Sequence, residues 1–416
     1  MLKRKFSYSE ALLLLLLLIL SFDFFNGVVI LVSGADLKLT YIKILLTLFF
    51  LFKLLTDKKT ILLPVVFMVL TIFFVLVHSQ VSKNYNVVED ISNFIKLLMP
   101  LITFLAFYIF NKRGFFDKPL VMKFLSYFFK FALLLILLNS YLIFSGISIY
   151  QYQFSDSSVG GGGLISSGNE LAALLVLLYL PSLSFIHISN LGRFWLLFCV
   201  LVYGFAMFVG GMKFAMLSFI ILTIYYFTYV QKFNLKSLLY GLLIFLALPF
   251  VIGKVFQLIE PFIARWEYFY NQFDLLTFLL SGRNIRIEYF FNEILDNISL
   301  LEFIFGFGWG TDSNIGFIGY GVYEVDFFDA LYSYGLIGLI ISLIIWGGGA
   351  ILSIVYLFKS KNLFTKSASL SVILLFSGSF ITGHIWFSGL IGVYLGTLFF
   401  FTILLKDQTD ESFSIH

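Results

Sequence analysis

Residues 323–346 read YEVDFFDALYSYGLIGLIISLIIW. Three acids, Glu324, Asp326 and Asp329, open the stretch, and the apolar run behind them is long enough to cross a bilayer. Charge at a membrane is costly and is usually kept for function, so this span poses both the class and the question of what the acids do. The whole chain agrees with the class. Of its 416 residues 60% are hydrophobic and 12% charged, against about 25% charged in an average soluble domain. Phe alone occurs 55 times, which suits lipid-facing helices and leaves no room for a large soluble domain. The single cysteine, Cys199, forms no intrachain disulfide, and no Cys/His spacing fits zinc. The net charge of +4 matters less than where the charges lie, and no nucleic-acid partner is expected.

Outward from this span, apolar runs of about 18–23 residues predict an all-α, polytopic membrane protein of about twelve transmembrane helices. The runs lie near 11–33, 38–55, 60–79, 91–110, 124–146, 169–188, 193–211, 213–230, 236–256, 326–357, 367–383 and 386–405. The last two share the kink-prone GSFITGHIWFSG, so eleven is the other count. The N-terminal MLKRKFSYSEALLLLLLLILSF has no small-residue cleavage site after its Leu run and reads as a retained first helix. With the N-terminus cytoplasmic, the inside segments carry roughly seventeen of the 27 Lys and Arg, as the positive-inside rule expects. Both termini are then inside, and one long segment lies outside. The expected division is 1–253 for helices one to nine, 254–325 for the extracytoplasmic loop, and 326–416 for the last three helices and a cytoplasmic tail.

Within the long loop, QLIEPFIARWEYFYNQFDLLTFLL and RNIRIEYFFNEILDNI place apolar residues at helical spacing between charges, the pattern of interfacial amphipathic helices. A second outer segment, SGISIYQYQFSDSSVGGGGLISSGNE, precedes helix six. GGGG at 160–163 and GFGWG at 306–310 read as flexible loops, since neither sits in a strand–loop–helix phosphate site. No internal repeat is visible, which weighs against a transporter built from symmetric halves.

Once the topology is set, ionisable groups cluster toward the outer face. Lys213 follows a Gly-Gly turn, Lys43 and Lys96 lie in the outer parts of helices two and four, and Arg283 and Arg286 stand three apart in SGRNIR. Plainer roles fit several of them: snorkelling for the two helix lysines, a solvated pair of Arg286 with Glu288 or Glu293, helix capping for Asp326 and Asp329, a helix–helix pair for Asp23, and a structural turn for His384. Taken together, cations and carboxylates on one membrane face beside a long loop suit a lipid-linked phosphate. Arg grips a phosphate bidentately, Lys neutralises it, and a carboxylate set apart from them is free to act as a base.

Four stretches carry a resemblance: SSGNELAALL, VGGMKFAMLSFI, LSGRNIRIEYFFNEI with IFGFGWG, and YEVDFFDALYSYGLIGLI. They resemble the O-antigen polymerase (Wzy-type) and O-antigen ligase superfamily of bacterial inner membranes, over roughly 165–345 in pattern and the whole chain in topology. The resemblance implies metal-independent, inverting glycosyl transfer between undecaprenyl-diphosphate-linked oligosaccharides outside the cytoplasmic membrane. No cofactor is implied, and a flippase and a chain-length regulator are the implied protein partners. By position, Lys213 and Arg283 would hold the lipid diphosphate, with Arg286 and Asn169 also in the substrate site. Glu324 falls where the ligase branch typically has His. That departure favours a polymerase, with Glu324 as base and Asp326 as its understudy. A ligase-type glycan transferase is the alternative within the superfamily; a lipid-linked oligosaccharide flippase or other transporter is the alternative from another class.

Overall fold

A computed structural model describes residues 8–82, 85–149, 152–154, 157–159, 161–165, 167–231, 267, 270–309 and 323–407. Apart from one small hairpin, its regular structure is helical. The first five helices are α1 (Tyr8–Ser33), α2 (Thr40–Leu55), α3 (Leu62–Val81), α4 (Val87–Lys112) and α5 (Lys118–Phe144). The hairpin pairs β1 (Tyr152–Phe154) with β2 (Ser157–Val159), Gln153 opposite Ser158. Next come α6 (Gly168–Ile188), α7 (Arg193–Val209) and α8 (Lys213–Tyr225), which runs on as a π-turn to Val230. Short helices α9 (Leu275–Leu280), α10 (Arg283–Tyr289, extended by π-turn to Ile294) and α11 (Leu300–Phe305) follow. The chain ends with α12 (Asp326–Ser342), a π-turn (Leu343–Gly347), α13 (Gly348–Lys359), α14 (Leu363–Ser379) and α15 (Gly389–Leu405).

Among the described residues, seven helical segments are long and apolar enough to cross a membrane: Ser9–Ser33, Leu62–Val81, Val87–Lys112, Lys118–Phe144, Gly168–Ile188, Lys213–Val230 and Asp326–Lys359. Helices α7, α14 and α15 are apolar but shorter. The chain is therefore a polytopic membrane protein. The expected ninth span, 236–256, lies outside the described residues, as do half of the first amphipathic segment and both chain ends.

Local chemistry sets the helix starts. Asn86, Asp117, Asn362 and Ser388 each accept a hydrogen bond from the backbone N–H three residues on, satisfying a donor that the first turn leaves over. Packing is graded. In α6, 94% of the best membrane-crossing window is buried, against 28% in α3, so α6 forms the centre and α3 the flank. Helices α4 and α15 cross closely because Gly392 and Gly396 lie on the contact. A Cβ at Gly396 would stand 2.4 Å from the Pro100 carbonyl oxygen. Small residues at such crossings let backbones approach where lipid offers no hydrophobic drive.

Two expectations are corrected here. The tenth span is not one helix, because Gly335 (φ 63°, ψ −163°) breaks it after Tyr334. The acids thus sit on a short arm ahead of the apolar part. Gly306 packs into this break: a Cβ on it would lie 2.5 Å from the Ser333 carbonyl carbon, and one on Gly335 would lie 2.4 Å from that of Ile304. The described parts of the two Gly-rich stretches are also pinned in place. Asn139 donates to the Gly162 carbonyl (3.1 Å) and accepts from Leu164 N–H (2.7 Å), while Gly163 N–H donates to the Ser148 hydroxyl (2.9 Å). In the other stretch, Phe307 and Gly308 donate to the carbonyls of Tyr332 and Ser333, each at 2.9 Å. Glycine serves close approach here, which composition does not distinguish from flexibility.

Candidate functional site

The turn before α8 and the segment from α9 to α12 bring together three of the predicted cations, Lys213, Arg283 and Arg286. Asp274 caps α9 by accepting from Thr277 N–H (2.7 Å). The helix then stops at Ser281 (φ 55°) and Gly282 (φ 79°), a left-handed turn that launches α10 with Arg283 as its first residue. Lys213, at the start of α8, donates to the Phe278 carbonyl (2.5 Å) and lies 3.9 Å from the centre of that ring. Arg283 Nη1 donates to the Leu280 carbonyl (3.3 Å). Both cations thus sit against the carbonyl end of α9, where positive charge is favoured.

Arg283 also reaches Glu324. Its Nε donates to the Glu324 carbonyl oxygen (2.8 Å), and its Nη2 to the Glu324 carboxylate Oε2 (3.2 Å). Arg286 Nη1 approaches the other carboxylate oxygen at 3.4 Å. The three side chains are 10%, 22% and 25% exposed for Arg283, Arg286 and Glu324, so water screens this triad less than a surface pair. Glu324 holds a left-handed backbone (φ 57°), uncommon for a residue with a Cβ and found mostly where surrounding structure imposes it. Glu324 is therefore not set apart from the cations, as a base read from the sequence required; it lies between them.

The other acids are occupied too. Asp326 is fully buried, and both its carboxylate oxygens accept from Ile385 N–H, at 3.1 and 3.2 Å. Asp329 accepts from Tyr323 N–H at 2.7 Å. The 383–386 turn is drawn onto the arm so closely that a Cβ on Gly383 would lie 2.4 Å from the Glu324 carbonyl carbon. His384 (φ 69°) rides on that turn. Burial pushes its imidazole below the usual range, Arg283 and Arg286 add to this, and Glu324 and Glu170 pull the other way.

Glu170 brings in the remaining charges. It lies half-buried in the first turn of α6, beside Asn169, and makes no hydrogen bond or ion pair among the described residues. Asn169 has no bond to the arginines among them either. Electrostatically Glu170 reaches His384, Lys96 and Asp23. Lys43, 4% exposed, pairs with Asp23 at 2.6 Å, so these two form the helix–helix ion pair that the plainer reading of Asp23 describes. Lys96 is half-buried and donates to the Asn93 side-chain oxygen (3.0 Å).

A further cluster escaped the sequence reading. His78 is fully buried, with Nδ1 2.8 Å from Asp90 Oδ2 and Nε2 2.8 Å from the Phe305 carbonyl oxygen. Asp90 accepts as well from Tyr85 hydroxyl (2.7 Å) and Trp309 N–H (2.8 Å), and its own carbonyl accepts from Tyr334 hydroxyl (2.8 Å). Ser82 hydroxyl donates to the Phe307 carbonyl. This clamp ties α3, α4, the second Gly-rich stretch and the acidic arm together. It lies among tertiary contacts that spacing along the chain does not reveal. Among the described residues no group of His, Cys, Asp and Glu is arranged to hold a metal ion.

Comparison with protein-family models and with curated protein sequences finds no match to this chain. The likeness to the polymerase and ligase superfamily rests on the quoted stretches alone.

Proposed function

We propose that this chain is a polysaccharide polymerase, joining undecaprenyl-diphosphate-linked oligosaccharide units on the outer face of a bacterial cytoplasmic membrane. The observation that carries the reading is the convergence of Arg283 and Arg286 on the Glu324 carboxylate, with Lys213 held against the same short helix, α9, that Arg283 follows. Two guanidiniums on one carboxylate make a ready anion site. A lipid diphosphate, with more charge and more acceptor oxygens, competes for the same donors.

In this reading the diphosphate is the leaving group. Its departure needs neutralisation of developing charge, which the arginines and Lys213 supply by electrostatic stabilisation. Glu324 and Asp326 shape the site: Glu324 orients Arg283 and Arg286, and Asp326 holds the 383–386 turn against the arm. A single displacement inverts the anomeric centre. The test is polymer formation from purified lipid-linked repeat units by the reconstituted protein, with no other transferase present. Chains longer than the input unit are expected; unit-length product alone, or transport of intact units across the vesicle wall, would overturn the reading.

A further inference from the structure

Trp195, 36% exposed in the first turn of α7, lines a narrow crevice between three helices that pack on one another, α5, α6 and α7. Phe129 and Leu133 of α5 and Phe185 of α6 make it apolar, while Ser126 and Lys130 of α5 add a hydroxyl and a charge. The turn that joins α6 to α7 also contributes to the lining, so the crevice lies toward the end of these helices, where a tryptophan marks a membrane interface. Its polar chemistry is one-sided. Lys123, Ser126 and Lys130 recur at helical spacing and share one face of α5. Side chains lean toward the start of their helix, which turns Lys130 back toward Ser126. Lys123 stands about 10 Å nearer that start, at a rise of about 1.5 Å per residue. Both lysines are exposed. Among the described residues neither pairs with a carboxylate, and the Ser126 hydroxyl makes no hydrogen bond. Two ammoniums and a hydroxyl beside an apolar crevice, with no anion of the chain to meet them, call for an anion from outside it.

We infer that this crevice binds an anionic phospholipid of the bilayer, with an acyl chain against Phe129, Leu133 and Trp195 and the phosphate between Lys123 and Lys130. The lysines neutralise the phosphate as point charges, and the Ser126 hydroxyl donates to one of its oxygens. A zwitterionic lipid carries its own ammonium and gains less from two lysines. A soluble anion has nothing to set against the apolar wall. The basic-residue bias puts the start of α5 in the cytoplasm, and the leaflet on that side is the one that attracts basic segments through its anionic lipids. Lys213 follows the opposite end of α7, so the crevice is separate from the arginine cluster and does not depend on the polymerase reading.

The experiment reads Trp195 directly. The full chain is reconstituted in phosphatidylcholine vesicles, and tryptophan fluorescence is quenched by phosphatidylglycerol or phosphatidylcholine brominated on the acyl chains. The part of the quenching that Trp195→Phe removes belongs to the crevice. In the wild type that part is expected to favour phosphatidylglycerol about fivefold or more, the order of one lysine near anionic lipid. Lys123→Gln with Lys130→Gln is expected to bring the preference close to one, and Lys123→Arg with Lys130→Arg to keep it. Lys359→Gln, at an exposed lysine that ends α13, is expected to leave it unchanged. A wild-type preference near one overturns the inference, as does a preference that survives the paired Gln substitutions. An equal loss in Lys359→Gln overturns it too, because the attraction would then belong to the whole basic surface. Undecaprenyl phosphate that displaces the brominated lipid at a lower mole fraction than plain phosphatidylglycerol would assign the crevice to a polyprenyl chain and overturn it as well. None of these readouts uses polymer formation, so each outcome leaves the polymerase reading as it stands.

Discussion

Arg283 spends its donors on three acceptors at once, the Leu280 carbonyl, the Glu324 carbonyl and the Glu324 carboxylate. An ammonium has the charge but not the planar fork, so Arg283→Lys is expected to lower polymerisation at least about tenfold. Arg283→Ala is expected to lower it more than about a hundredfold, the order reached when a transition-state donor is lost. Protein level and membrane insertion should stay near normal in both; full polymer from the alanine variant would remove Arg283 from the mechanism. Glu324→Gln keeps the hydrogen bond to Arg283 and loses only the charge. The expected cost in rate is under about tenfold, and a loss of about a hundredfold or more would return proton transfer to Glu324. His384 has a pH signature. Burial lowers its folded pKa from the ordinary 6.5, so the unfolded chain binds the extra proton first. The stability it contributes is complete above about pH 6.5 and declines as pH falls below that value. Thermal unfolding in detergent should show this decline between pH 7.5 and 5, and His384→Gln should flatten it.

The acidic arm, Asp326–Tyr334, owes its separation from the apolar part of α12 to Gly335 and to the contact with Gly306. An alanine at Gly335 meets both a left-handed backbone and the Ile304 carbonyl carbon at 2.4 Å. Gly335→Ala is expected to destabilise by more than about 3 kcal/mol, which belongs to the exceptional end of single substitutions. Its thermal midpoint in detergent should fall well below that of Gly348→Ala, where an added Cβ meets nothing within 4 Å. The existence of the described spans was legible in the sequence because each is a long apolar run. The break at Gly335 was not. Glycine within a run is equally a weak helix former, a crossing contact or a hinge, and only the partner backbone decides which. The same holds for the acids. Their clustering near Arg283 and Arg286 was readable, but Asp326's bond to Ile385 joins residues 59 apart and has no local signal. Glu170 stands beside Asn169 in SSGNELAALL with no local signal of its own, because a carboxylate without a bonded partner is recognisable only once its neighbours are known.

For the protein in its membrane, orientation is the property on which the reading depends. Asn292, in the π-turn that extends α10, and Lys58, between α2 and α3, are both exposed and lie in segments that the basic-residue bias assigns to opposite sides. Single cysteines there, on a Cys199→Ser background, should divide cleanly in intact cells treated with an impermeant thiol reagent. Asn292→Cys should label and Lys58→Cys should not; the reverse pattern would place the arginine site in the cytoplasm. The His78–Asp90 clamp bears on how such a molecule is made. Its partners Trp309, Phe305 and Tyr334 lie 219 to 244 residues downstream. At about 5–20 residues per second, α3 and α4 leave the ribosome roughly 10–50 s before those partners exist. For that interval a histidine and a carboxylate destined for full burial sit in nascent membrane helices with their later partners missing. The bond network therefore closes only when the last third of the chain arrives, and a chain that stops short presents an unsheltered charge to the quality-control proteases of the membrane.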